Sequence, residues 1–574
     1  MALRSGAIVA LAVALALPVG ALGLASLPAA TAAPPPTPGQ RIHAELEHAA
    51  QLAGVAAAPL DLGPCPDFET AVRQHYASYR LRAPDVIPTL GDPALEHAAA
   101  CLLDAMRAAD LVRHAMLQQR GIDLVQLMDA IVREDDDALA AMPHLDVSIA
   151  LGAAFALADR ADAAIAALKG SPAPATRGTL GLPEMDMPPV IAIDRTGPTL
   201  YDCSYALVLD EVGDDLYDNN AGGSWLALGN MPIFFLSALP DRCSEYIVPL
   251  GPEDPTVAVG GEIEFGFVIT AAMLIDTQGS DSYGVRRAPV IDAPCTSEPV
   301  VRRIGAQGAG IIGPGLLIDT DGDNHFVAKT LSQGLGHSGG VGVLYLGPGD
   351  DTLEAVRSAQ GAGVLGAIGV LINEAGNDSY IGRVPAGGTL NIDLGICDDT
   401  SRYVQGAGFG RITGIAASIV GILRDLEGND YYQGDFKIQG AGEVFAHGVL
   451  LDEAGNDVYV AQGKAMGYGE GHSGTGGTGS GWFLDRGGDD LYLLGSAPGL
   501  GMGDGHVADP AGAPAPYIPP NLWANDVASY FANPLLLTGG ALFVDERGTD
   551  TYSLATRGNG MVQSDSLVGV FVDQ

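Results

Sequence analysis

Six segments of this chain place chemically capable residues in one fixed order, Asp-x-x-Gly-x-Asp-x-Tyr, behind a short aliphatic run. LVLDEVGDDLY carries Asp210, Gly213, Asp215 and Tyr217, and MLIDTQGSDSY carries Asp276, Gly279, Asp281 and Tyr283. ILRDLEGNDYY carries Asp425, Gly428, Asp430 and Tyr432, and LLDEAGNDVY carries Asp452, Gly455, Asp457 and Tyr459. FLDRGGDDLY holds Asp485, Gly488, Asp490 and Tyr492, and FVDERGTDTY holds Asp545, Gly548, Asp550 and Tyr552. Looser copies begin at Asp319, Leu346 and Asn373. Two carboxylates around a glycine turn are oxygen donors, and an oxygen-only donor set selects hard cations, calcium above all.

The spacing says what must position these groups. The copies at 319, 346 and 373 are 27 residues apart, as are those at 425 and 452. Between 373 and 425 lie 52 residues, and a worn copy around Asp398, Asp399, Thr400 and Tyr403 would fill that gap. Within one period a Gln-Gly-x-Gly element comes first (Gln307, Gln333, Gln360, Gln405, Gln439), then an aliphatic strand, the aspartate turn and the aromatic. Such a period predicts a parallel β-helix of three short strands and three corners per coil, each coil burying its core only by stacking on the next. Longer intervals, Asn219–Pro255, Ala288–Arg303 and Gly495–Leu535, read as loops thrown out from corners. The terminal VGVFVDQ puts Asp573 at the first aspartate position of a further copy, either as a capping half-coil or as a continuation into a partner.

Stacked coils bring like carboxylates to about 4.8 Å, where each pair repels by roughly 3 kcal/mol at an effective dielectric of 20. The aspartates can cap amides in their own turns, they can share protons, or cations can bridge them. With so few lysines in the chain, internal salt bridges are the weaker fourth remedy. Gly-x-Asp-x-Tyr resembles the core of the RTX (hemolysin-type) nonapeptide, Gly-Gly-x-Gly-x-Asp-x-hydrophobic-x. GGDDLYLLG at 487–495 and AGNDVYVAQ at 454–462 come closest. The resemblance implies calcium held between successive coils, with the second aspartates (Asp215, Asp281, Asp430, Asp457, Asp490, Asp550) as ligands. It covers the turns alone: the first glycine of the RTX unit is aspartate here, the units are not tandem at nine residues, and Gln-Gly-x-Gly has no counterpart. Asp210, Asp276, Asp319, Asp425, Asp452, Asp485 and Asp545 complete the candidate metal set, and the alternative is a set of turn caps without metal.

Composition agrees with cations as partners. The formal net charge is −40, with 29 Lys plus Arg against 69 Asp plus Glu, which excludes a basic face for nucleic acid or an anionic membrane. Residues 1–32 read as a signal peptide, with Arg4 in the n-region, an apolar run from Ala7 to Leu17 and Ala30-Thr31-Ala32 as the cleavage site; the rival is a membrane anchor. After cleavage no stable membrane span is expected. A Pro-rich linker (33–40) precedes an α-helical domain (41–170), a second linker (171–190) and a β-solenoid with inserted loops (191–574). The six cysteines (Cys65, Cys101, Cys203, Cys243, Cys295, Cys397) are disulfide candidates in an exported chain, expected to pair neighbour with neighbour, Cys65 with Cys101.

In the helical region Leu102, Leu103, Met106, Ala109 and Val112 share one side of a helix over Pro93–Gln119, started by Asp92 and stopped by Gly121. Further helices are expected near Asp123–Glu134 and Asp146–Leu168. His43 and His48 could share a face with Glu45, but their spacing fits no standard metal pattern.

GHSGG at 336–340 matches the Gly-x-Ser-x-Gly nucleophile elbow, yet that elbow needs a following helix, and Val341–Leu346 reads as a strand. His337, His447, His472 and His506, with Arg286, Arg287, Arg302 and Arg303, are the remaining groups for an active groove. The fold expected is α plus all-β: a small N-terminal helical domain followed by a parallel β-helix (β-solenoid) of roughly 27-residue coils. The expected role is structural, adhesive or surface-binding, secreted or at the cell surface and calcium-stabilised. Its expected partners are a cell-surface polysaccharide or another extracellular protein. The alternative is a carbohydrate-active β-helix enzyme.

Overall fold

The computed structural model describes residues 34–79, 81–122, 145–170, 185–187, 190–201, 203, 205–224, 227–228, 267–268, 271–284, 306–328, 330–382, 402–410, 419–472, 477–495, 499–501, 503–504, 541–553, 561–565 and 569–573. The expected signal peptide, the 123–134 helix, most of the long loops, Asp398–Thr400, His506 and the four arginines at 286, 287, 302 and 303 lie outside them.

Among the described residues four helices precede the sheets: α1 (Pro38–Ala53), α2 (Phe68–Ser78), α3 (Pro93–Arg120) and α4 (Val147–Gly170). Local chemistry sets their ends. Thr37 and Gln40 exchange capping-box hydrogen bonds at the start of α1. Asp92 accepts from the Ala94 and Leu95 amides, Pro93 fills the first turn, and Gly121 closes α3 at φ 65°. The predicted α3 stripe holds at Leu102, Leu103, Met106 and Ala109 but not at Val112, which is 40 % exposed. Cys65 and Cys101 are disulfide-bonded, tying the segment before α2 to α3. Cys203 is disulfide-bonded as well.

Beyond residue 185 the chain builds large sheets of parallel strands, a β-solenoid-like arrangement. Among the described residues, each successive unit adds one strand to a long sheet of 13 strands, one to an aromatic sheet of 10 and, over much of the stack, one to a short-strand sheet of 8. Register is set by the motif. Val341–Leu346 pairs residue for residue with Ile368–Asn373, and Ile419–Asp425 with Ala446–Asp452. The outermost strands of the long sheet, Met185–Met187 and Val562–Asp565, run antiparallel to their neighbours and cover its two ends.

Asn373 pairs directly with Asp425, and Tyr380 with Tyr432. The 52-residue interval is therefore one unit with an insertion, and no worn copy intervenes. Tyr403 sits at a corner instead, bonded to the Lys437 backbone.

The long strands are buried on both sides: Leu316, Leu317 and Ile318 are all fully covered. Runs such as GLLID and GVLLD carry this in their unbroken apolar character, the mark of a parallel sheet covered on each face. The cover on one face is helical. α1 and α4 pack on the long sheet, with Arg41 paired to Glu374 at 2.6 Å and Arg424 to Glu45 at 2.9 Å. The helices therefore lie along the flank of the stack, not over its end as a terminal cap would.

Candidate metal centre

Three columns meet inside the stack. The first aspartates end the long strands: Asp276 pairs with Asp319, Asp425 with Asp452, Asp452 with Asp485, Asp485 with Asp545, and Asp545 with Asp573. The aromatics line the second sheet as a column of rings. Tyr432, Tyr459, Tyr492 and Tyr552 stack at centroid distances of 4.8, 5.1 and 4.9 Å. The second aspartates sit in the turns between them. The turn glycines allow this close stacking: a Cβ on Gly455 would lie 2.0 Å from the Gly428 carbonyl oxygen.

The columns are bonded to one another. Tyr217 donates to Asp276 at 2.5 Å and Tyr283 to Asp319 at 2.8 Å, each aspartate belonging to the following unit. Tyr459 donates to Asp452 and Asp485, and Tyr492 to Asp485 and Asp545. Each second aspartate accepts from the backbone amide of the residue one unit earlier. Asp215 donates to Asp281 at 2.5 Å, Asp378 to Asp430 at 2.6 Å, Asp430 to Asp457 at 2.6 Å and Asp457 to Asp490 at 2.7 Å. The glutamine element closes the opposite corner. Gln405, at φ 58°, donates its side-chain amide to the Tyr380 and Gln433 carbonyls at 2.8 and 2.9 Å.

These bonds use only part of the carboxylates. Asp378, Asp425, Asp430, Asp452 and Asp457 each keep one buried oxygen without a hydrogen-bond partner. Carboxylate oxygens of Asp378, Asp425 and Asp430 lie within 4.8 Å of one another, as do those of Asp430, Asp452 and Asp457 and those of Asp457, Asp485 and Asp490. Two ligands about 2.4 Å from one calcium can be that far apart. The three linked groups comprise seven carboxylates, and three divalent ions would leave the set one charge short of neutral. A further group joins Asp210, Asp215 and Asp276. The residues therefore fit a hard cation in donor type, separation and charge, with backbone carbonyls or water to complete the shell.

Comparisons with protein-family models, with curated proteins and with solved structures find no match.

Burial sets the electrostatics. Desolvation, reinforced by neighbouring aspartates, pushes Asp215 and Asp545 up to about 9, Asp457 to about 10 and Asp490 to about 8. Asp378 rises to about 8 and Asp430 to about 7, where backbone amides oppose the burial. Asp276 and Asp485 reach only about 6, because tyrosine hydroxyls stabilise their charged forms against it. Asp210, Asp281, Asp319, Asp425 and Asp452 are raised by burial as well, and so is Asp550. Without cations, protons held between these groups are therefore the physical alternative at neutral pH.

Sequence reasoning missed Asp378 and Asp351, although the copies at Leu346 and Asn373 keep the second aspartate. It also missed Asp194, which opens the copy Asp194-x-x-Gly197-x-Thr199-x-Tyr201 and stands in register with Asp210.

The nucleophile elbow does not form. Gly336–His337 is a strand, and the strand Val341–Pro348 follows where the elbow needs a helix. The Ser338 hydroxyl lies 2.8 Å from His337 Nδ1, but both side chains are buried. Arg113 donates to the adjoining Gly339 carbonyl at 3.1 Å, closing the site from α3. In the helical part, His43 lies 2.8 Å from Asp159 and His48 lies 3.6 Å from Glu45, so the two imidazoles take separate partners.

Proposed function

We propose that this chain is an exported, acidic parallel β-helix of roughly 27-residue coils with a structural or adhesive role at the cell exterior, its carboxylate columns holding calcium. One observation carries the reading: Asp378, Asp425, Asp430, Asp452 and Asp457, from consecutive units, each retain a buried, unpartnered oxygen, and they fall in groups of three at calcium-sharing distance. Repulsion along such columns is offset by cations and by the tyrosine and amide donors already in place. A rod held by nearest-neighbour stacking and bound ions suits a salty exterior, as do the leader-like N-terminus and the net charge of −40.

Thermal unfolding with and without a chelator tests the cation. Treated protein should melt several degrees lower, recover with calcium and recover poorly with magnesium, which demands a tighter octahedral shell. An unchanged melting temperature after treatment would remove calcium from the reading.

A further inference from the structure

Tyr380, Tyr432, Tyr459, Tyr492 and Tyr552 stack ring on ring at centroid distances of 4.7, 4.8, 5.1 and 4.9 Å, their planes within 11° of parallel. The first four are fully covered, and Tyr552 is half-buried. Every hydroxyl in this run donates to a first aspartate, beginning with Tyr380 to Asp425 at 2.6 Å and Tyr432 to Asp452 at 2.8 Å. From Asp452 onward the acceptors are shared. Asp452 accepts from Tyr432 and Tyr459, Asp485 from Tyr459 and Tyr492, and Asp545 from Tyr492 and Tyr552. Asp425, Asp452 and Asp545 take the tyrosine on Oδ2 and keep Oδ1 without a hydrogen-bond partner. A cation on Oδ1 therefore leaves the tyrosine contact in place. The run also has a defined inner end. Leu353 holds the ring position between Phe326 and Tyr380, which separates these five rings from Tyr201, Tyr217 and Tyr283.

We propose that this tyrosine column carries one-electron oxidising equivalents through the stack, from the half-exposed Tyr552 inward to Tyr380. The activity needs neither bound calcium nor an exterior location. A phenol gives up an electron readily only when its hydroxyl proton leaves with it, and each hydroxyl here already rests on a carboxylate acceptor. A one-electron oxidant at the surface takes an electron from Tyr552, whose proton passes to Asp545 or Asp573. Tyr492 then reduces the Tyr552 radical. Its electron crosses to the stacked ring, its own proton goes to Asp485 or Asp545, and Tyr552 recovers a proton from its carboxylate. Tyr459, Tyr432 and Tyr380 repeat the exchange in turn. Electrons and protons balance at each step, and the surface oxidant, which is reduced by one electron, is the only co-reactant.

The test is oxidation of the full-length protein by a photogenerated ruthenium(III) polypyridyl complex, which is too bulky to enter the core. Tyr459→aminotyrosine supplies a buried, easily oxidised trap. Every sample also carries Tyr431→Phe, because Tyr431 lies on the outward face of its strand and would offer a side entrance. Electron paramagnetic resonance should show the aminotyrosyl radical. Adding Tyr492→Phe keeps the ring but removes the hydroxyl, and should abolish most of that signal in protein whose melting curve shows it folded. Tyr552→Phe, at the half-exposed end, serves as a second variant should Tyr492→Phe unfold. No trap radical with the column intact, or an equal signal in a folded phenylalanine variant, would overturn the inference.

Discussion

Tyr283 donates its hydroxyl to Asp319 of the next unit at 2.8 Å, and where the aromatic column then loses its hydroxyl at Phe326, the acidic column loses its carboxylate at Leu346. Phe326 stacks directly on Tyr283 at 4.2 Å, and Leu346 stands in register with Asp319. Donor and acceptor disappear together. The tyrosines and first aspartates are thus one buried hydrogen-bonded unit, and the chain itself contains the apolar replacement for it.

That replacement makes a double-mutant test. Tyr283→Phe alone leaves an Asp319 oxygen buried without its donor and should cost about 1.5–3 kcal/mol in urea unfolding, the range for hydrogen bonds to charged groups. Asp319→Leu added to it should recover a substantial part of that loss. Strictly additive costs would show that the two groups are energetically independent.

Gln405 clips two neighbouring units from a left-handed backbone position. Gln405→Ala strands the Tyr380 and Gln433 carbonyls and should cost about 1–3 kcal/mol for each buried acceptor left unsatisfied. Gln405→Gly relieves the backbone but not the carbonyls, so it should remain clearly less stable than the parent. Parent-like stability of the glycine variant in urea would assign the residue's role to the turn alone.

Acid should weaken the fold through its buried histidines. His75 is fully covered and held down to about 3 by burial and the nearby Arg107 charge; burial holds His337 to about 4. Both folded values lie below the unfolded value of about 6.5. Their stabilisation is therefore complete above that pH and is lost as pH falls through the window from 6.5 towards 3 or 4, by up to about 1.4 kcal/mol per unit for each histidine. His75→Phe, which keeps the edge contact with Tyr79, should flatten the pH dependence of urea unfolding in that window. An unchanged slope would show that His75 charges without cost.

The aspartates act with the opposite sign. Their folded values are raised by burial, so in metal-free protein their contribution is complete below about 3.9 and is lost as pH rises through about 6 to 10. Calcium and protons compete for the same oxygens. The rise in melting temperature on adding calcium should therefore be larger at pH 8 than at pH 5, and an equal rise at both would place the ion elsewhere.

Much of this was legible beforehand, and the exceptions are instructive. Asp92, Pro93 and Gly121 fixed the ends of α3 because capping is local chemistry. The motif fixed the register of the columns because identical residues at one corner stack. Val112 was misplaced because the buried stripe runs on through Asp110, Arg113, Met116 and Leu117, which leaves position 112 on the side away from the core. The flank position of α1 and α4 was written in the unbroken apolar strands, whose second buried face demands a cover. The phantom copy at 398–403 came from trusting the period, whereas an insertion changes chain length without adding a strand. Burial of the carboxylates, and with it the case for shared protons, is completed only when units stack and a tyrosine of one unit reaches the aspartate of the next, which no single copy of the motif shows.

Elemental analysis of the purified protein, folded and exhaustively dialysed against metal-free buffer, tests the central claim most directly. Several calcium ions per chain are expected, and at least one fewer in Asp457→Asn, which keeps the oxygen that accepts the Asp430 amide but loses the charge shared by two of the three linked groups. A parent protein free of bound calcium, or a variant that retains the full complement, would contradict the carboxylate columns as its site.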